Sequence, residues 1–265
     1  MSIDLQTLCQ EVCLLSKEVG AFIRSERDEF SSEKVEVKGK NDFVSYVDKT
    51  SEKRIIDKLG VLLPDAGFIA EEGTSTKKGE IYNWIIDPLD GTTNFIHGIP
   101  CFAISIALMR KDELVLGVIY EINFDECFYA WEGSKSFLNG KEIYVSETSK
   151  VADSLLATGF PYYDYSRIDE YMELFKHFMK NSRGLRRLGS AATDLAYVAC
   201  GRFDGFYEYC LQPWDVAAGA FIVQQAGGKV TDFKGEGNYL FNREIVAGNS
   251  AFFIEFSDIV KKYFK

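Results

Sequence analysis

NWIIDPLDGTTNF, Asn83 to Phe95, carries an apolar run straight into two aspartates, a glycine and two threonines. The run Trp84 to Ile86 suits a buried strand, and Pro88 fixes the backbone just after Asp87. Asp87 and Asp90, three residues apart, are read here as two carboxylates brought together across a turn. Crowded carboxylates repel unless something positive sits between them. Hard divalent cations are bound through oxygen, so the segment reads as a candidate Mg²⁺ site. Gly91 lets the backbone approach a ligand closely. The N–H groups of Gly91 and Thr92 can face phosphate oxygens at a helix start, and Thr92 and Thr93 add hydroxyls able to hold a water.

Two other segments offer acids of the same kind. GFIAEEG (67–73) is a short apolar run ending in Glu71 and Glu72, and PWDVAAGA (213–220) places Asp215 before a helix of small residues. Taken alone, Asp215 is a helix N-cap and Glu71 a surface acid. Taken together, Glu71, Asp87, Asp90 and Asp215 can surround two Mg²⁺ ions that share one carboxylate, the arrangement that clamps an in-line phosphoryl displacement. The spacing Asp-x-x-Asp-Gly-Thr differs from the Asp-x-Asp-x-Thr of phosphatases with an aspartyl nucleophile. P-loop, dinucleotide and Gly-x-Ser-x-Gly fingerprints are absent from the sequence. His97 reads as a neighbour of the site and His177 as a residue on a helix face.

The 265 residues are 46% apolar and 26% charged, with a net charge of −10, which fits a soluble globular chain and argues against a nucleic-acid groove. Six cysteines, none in a CxxC pair, read as reduced thiols of a cytoplasmic protein. The first residues lack the pattern of a signal peptide, and no apolar stretch is long enough to span a membrane.

Leu5, Leu8, Val12, Leu15, Val19, Phe22 and Ile23 recur at helical spacing. A polar connection then leads to a second helix from about Tyr46 to Leu62, with Asp48 near its start, where a carboxylate suits the helix dipole. Residues 101–143 read as successive antiparallel strands. From about residue 149, strands (SLLATGF, GLRRLGS, GFYEYC) alternate with helices (RIDEYMELFKHFMK, AATDLAYVACG, WDVAAGAFIVQQAGG). The expected organisation is one unit over 1–265, an antiparallel-sheet half (about 1–148) packed on an α/β half (149–265).

WIIDPLDGTTNF, with AEEG before it and WDVAAGAFIVQQAGG after it, closely resembles the inositol monophosphatase family, and the match runs on to VAGNS at 246–250. The resemblance implies an αβαβα sandwich, Mg²⁺ dependence, sensitivity to Li⁺ and a homodimer. Carried over, Glu71, Asp87 and the Leu89 carbonyl hold a first Mg²⁺, and Asp87, Asp90 and Asp215 a second. A third, weaker ion sits near Glu71 through waters. Gly91 and Thr92 cradle phosphate, while Thr92 paired with Asp48 orients the attacking water; Glu71 completes the catalytic set. Asp90 and Asp215 also face substrate, together with Arg186, Gly189, Ser190 and Ala191 from RRLGSAA and Glu208 from FYEYC. The family more often has Thr at the place of Ser190, and either hydroxyl can donate or accept.

The expected reaction is hydrolysis of a phosphate monoester, inositol monophosphate first, by direct attack of a metal-activated water. The alternatives are the same chemistry on fructose 1,6-bisphosphate, a 3′-phosphoadenosine nucleotide or NADP. A different class, a regulatory partner of the transcription machinery, is implied by some bacterial relatives.

Overall fold

A computed structural model of the chain describes residues 3–28, 35–39 and 42–264. The chain opens with helix α1 (Leu5–Asp28), then an antiparallel pair, β1 (Val35–Gly39) and β2 (Asp42–Ser45), and helix α2 (Tyr46–Leu62). The pair falls where a polar connection is expected; strand-like alternation around Val35 and Val37 accounts for it.

Seven strands form the larger sheet in chain order: β3 (Gly67–Ala70), β4 (Tyr82–Asp90), β5 (Ala103–Arg110), β6 (Glu113–Glu121), β7 (Glu126–Trp131), β8 (Ser136–Leu138) and β9 (Lys141–Ile143). β3 pairs with β4 in parallel, and every later pair is antiparallel. Helix α3 (Thr92–His97) follows β4 directly.

The second sheet has the order β11-β10-β12-β14-β13. Its strands are β10 (Leu155–Thr158), β11 (Gly184–Arg186), β12 (Gly205–Tyr209), β13 (Lys229–Thr231) and β14 (Glu244–Gly248). β10 runs parallel to β11 and β12, whereas β14 is antiparallel to both of its neighbours. The sheet is thus mixed, with β14 lying antiparallel between β12 and β13. Helices α4 (Ile168–Asn181), α5 (Ala191–Ala199), α6 (Pro213–Gln225) and α7 (Phe253–Tyr263) complete the chain.

Three apolar clusters explain the layering. One packs α1 and α2 on the larger sheet, one fills the space around α5 and α6 between the sheets, and the third packs α4 and α7 on the smaller sheet. α5 and α6 are apolar almost all round, as a helix covered on both sides must be. Their small residues let the layers close up: a Cβ on Gly219 of α6 would lie 2.5 Å from the Leu195 Cβ of α5. The result is the expected αβαβα sandwich. Among the described residues no helix is long and apolar enough to cross a membrane. All six cysteines are free.

Candidate active site

The site begins at an irregularity in β4. Asp87 pairs with Ser105 and Asp90 with Ala103, so three steps on β4 face two on β5. The acids are therefore separated by a β-bulge inside a strand, and not by the turn expected from the sequence. A bulge tolerates Pro88 and re-aims the side chains around it. The Asp87 carboxylate accepts the Leu89 N–H at 2.9 Å, which fixes its direction.

Gly91, next in line, has φ of 91°, and a Cβ there would lie 2.9 Å from the Cys101 carbonyl. Any other residue meets both backbone strain and a collision. The Thr92 hydroxyl donates to the Leu89 carbonyl at 3.0 Å. Asn94 Nδ2 donates to the Cys101 and Leu188 carbonyls at 2.7 and 2.9 Å, tying this segment to the loop before α5.

A cavity of about 360 Å³ opens between the two sheets. Glu71, Asp87, Leu89, Asp90, Gly91, Thr92, Gly189, Ser190, Ala191, Glu208 and Asp215 all line it, although they come from distant parts of the chain. Asp90 Oδ2 accepts the Ser190 hydroxyl at 2.6 Å and the Ala192 N–H at 2.7 Å. Ser190 is also the N-cap of α5, accepting from Thr193 N–H at 3.2 Å. Asp215 is not an N-cap: Gln212 holds that position, and Asp215 closes the capping box by accepting the Gln212 N–H at 2.7 Å.

The acids disturb one another. Burial, then the charges of Glu71, Asp90 and Asp215, hold the Asp87 carboxyl well above the usual range. Burial pushes Asp90 up to about 6 despite the Ser190 and Ala192 hydrogen bonds and the Arg187 guanidinium. Burial and the charge of Asp90 raise Asp215 well above its ordinary value. Among the described residues no three His, Cys, Asp or Glu side chains are grouped tightly enough to hold a metal ion as they stand. The donor set still fits a hard cation, because it is all oxygen and because positive charge relieves the crowding.

Two expected residues do not line the cavity. Asp48 is buried in the first turn of α2. Arg186 is exposed and donates to the neighbouring Leu185 carbonyl at 2.9 Å; its neighbour Arg187 reaches the cavity wall and donates to the Tyr162 hydroxyl at 2.8 Å. Adjacent residues at the end of a strand face opposite sides, so only one arginine can enter. His97 is exposed, and His177 on α4 has Nδ1 3.2 Å from the Tyr263 hydroxyl.

Three other side chains carry the site without having been singled out in the sequence. Asn94 and Arg187 are described above. Buried Glu52 of α2 accepts the Glu72 N–H at 2.7 Å and the Thr74 N–H and hydroxyl at 2.8 and 2.7 Å, anchoring the loop that bears Glu71.

The sequence profile of the inositol monophosphatase family matches residues 4–260. The chain belongs to that family. It is 46% identical over 217 residues to the putative Nus factor SuhB of Neisseria meningitidis, covering 82% of this chain and 83% of that protein. It is 42% identical over 231 residues to the inositol-1-monophosphatase of Rhizobium meliloti, covering 87% of each. The crystal structure of the extragenic suppressor protein suhB from Bartonella henselae superposes with a TM-score of 0.92 at 39% identity, covering 97% of this chain and 99% of that one. The αβαβα sandwich is therefore the inositol monophosphatase fold, and the family points to a phosphatase.

Proposed function

We propose that the protein is a Mg²⁺-dependent phosphatase that releases phosphate from a monoester of a polyhydroxylated alcohol, with inositol monophosphate as the best-fitting substrate. The observation that carries this reading is the burial of Asp87 beside Glu71, Asp90 and Asp215 in one cavity with Gly91 and Thr92. Membership of the inositol monophosphatase family supports it.

Glu71, Asp87, the Leu89 carbonyl, Asp90 and Asp215 would hold the Mg²⁺. When bound, Mg²⁺ supplies Lewis-acid stabilisation of charge and a water of lowered pKa. The N–H groups of Gly91 and Thr92 receive phosphate oxygens, and the Thr92 hydroxyl orients the attacking water. Since Thr92 Oγ lies against the Leu89 carbonyl, its hydroxyl is held beside the metal acids. Gly189, Ser190, Ala191 and Glu208 face the alcohol, and Arg187 takes the place expected for Arg186. No side chain needs to form a covalent intermediate.

A panel of phosphate monoesters assayed with Mg²⁺ and scored by kcat/KM tests this reading. Inositol monophosphate should rank highest; no hydrolysis of any member in Mg²⁺ or Mn²⁺ overturns it. The name of the Neisseria relative brings a second reading, a Nus-factor role. Such a role needs no metal acid, so partner capture should survive Asp87→Asn.

A further inference from the structure

Asp194 lies one helical turn beyond the N-cap of α5, its N–H donating to the Ser190 carbonyl. Its side chain is 1% exposed, lines the cavity, and has Oδ1 buried with no hydrogen-bond partner among the described residues. Leaving a buried carboxylate oxygen unpaired costs on the order of 1–3 kcal/mol or more. The helix positions beside it are Ala191, Tyr197 and Val198, none of which pairs with this oxygen. An unfilled acceptor on a cavity wall points to a ligand that fills it.

The surroundings specify the ligand. Arg187 shares the wall, and its Nε is likewise buried with no hydrogen-bond partner among the described residues. Glu208, 6% exposed, completes this part of the wall. An unpaired acceptor and an unpaired donor, both buried on residues of one wall, match a hydroxyl group, which both donates and accepts. The ring hydroxyls of a neutral polyol meet both requirements.

We infer that Asp194, together with Arg187, binds a hydroxyl of the leaving alcohol and is a specificity-determining residue of the site. This rests on the phosphatase reading above and extends it to the alcohol. Asp194 makes no contact with the reacting atoms; it selects the ester that is hydrolysed.

The test compares kcat/KM for myo-inositol 1-phosphate with that for p-nitrophenyl phosphate, whose leaving group carries no further hydroxyl. In Asp194→Ala the ratio of the two should fall by up to roughly tenfold, the scale of a lost hydrogen bond. Asp194→Asn, which keeps an acceptor, should recover part of the ratio. Asp194→Ser supplies the same comparison if the alanine variant does not fold. An unchanged ratio, or an equal loss on both esters, overturns the inference and leaves the phosphatase reading intact. Wild-type turnover of p-nitrophenyl phosphate alone also overturns it. If the wild type hydrolyses neither ester, the phosphatase reading itself fails and this inference fails with it.

Discussion

The Ser190 hydroxyl donates to Asp90 Oδ2 across 2.6 Å, joining the N-terminus of α5 to the acid at the end of β4. One side chain thus caps a central helix and aims a proposed metal ligand of the larger sheet. Ser190→Ala should therefore lower both stability and turnover. The cap alone is worth about 1 kcal/mol, readable as a lower urea midpoint, whereas Ser190→Thr should stay near wild type. A fully stable and fully active alanine variant would separate the two roles from this hydroxyl.

Glu52 holds the loop after β3 through three hydrogen bonds to Glu72 and Thr74. Glu52→Gln turns an amide toward main-chain donors and leaves part of that loop unsatisfied, at a cost of about 1–3 kcal/mol. Because Glu71 rides on the loop, the Mg²⁺ concentration for half-maximal activity should also rise. A Mg²⁺ titration that superposes on wild type would show that the loop holds its place without Glu52.

The two adjacent arginines should behave differently. Arg187→Ala removes a cavity-lining guanidinium and should raise KM on the order of tenfold, as loss of a charge-assisted hydrogen bond does. Arg186→Ala changes an exposed side chain, and KM should move by less than about twofold. The reverse ranking would assign the substrate contact to Arg186.

Burial pushes the Glu208 carboxyl up to about 8. The folded protein then keeps a proton that the unfolded chain releases near the ordinary carboxylate pKa. This group's contribution to stability is complete below that ordinary pKa and is lost as pH rises toward 8. Burial raises Asp90 in the same direction, to about 6. In chelator, the thermal midpoint should fall between about pH 5 and pH 8, and Glu208→Gln should flatten the fall. A midpoint that climbs over that interval, or a variant with the wild-type slope, contradicts the assignment.

Much of the frame was legible because it rests on local periodicity. The helix at Tyr46–Leu62 and the antiparallel strands from Ala103 to Ile143 follow from side-chain spacing alone. The bulge between Asp87 and Asp90 did not, because it is defined by its partner strand. β13 and β14 lie in a stretch where short strands and turns alternate too quickly to show a period. Within the site, the acids stood out as charges set at the ends of apolar runs. Asp194 and Glu52 did not, since an acid in a helix normally reads as a solvated face. Arg186 and Arg187 are indistinguishable until the sheet decides which of them faces the cavity.

The central claim is that carboxylates from distant segments converge on divalent cations around Asp87, and turnover of Asp87→Asn at saturating Mg²⁺ tests it most directly. The variant keeps the shape of the side chain and removes the charge that Glu71, Asp90 and Asp215 surround. The account predicts a fall in kcat on the order of a thousandfold, the scale of losing a group that stabilises transition-state charge, with the fold retained. A folded variant with near-normal kcat would contradict it.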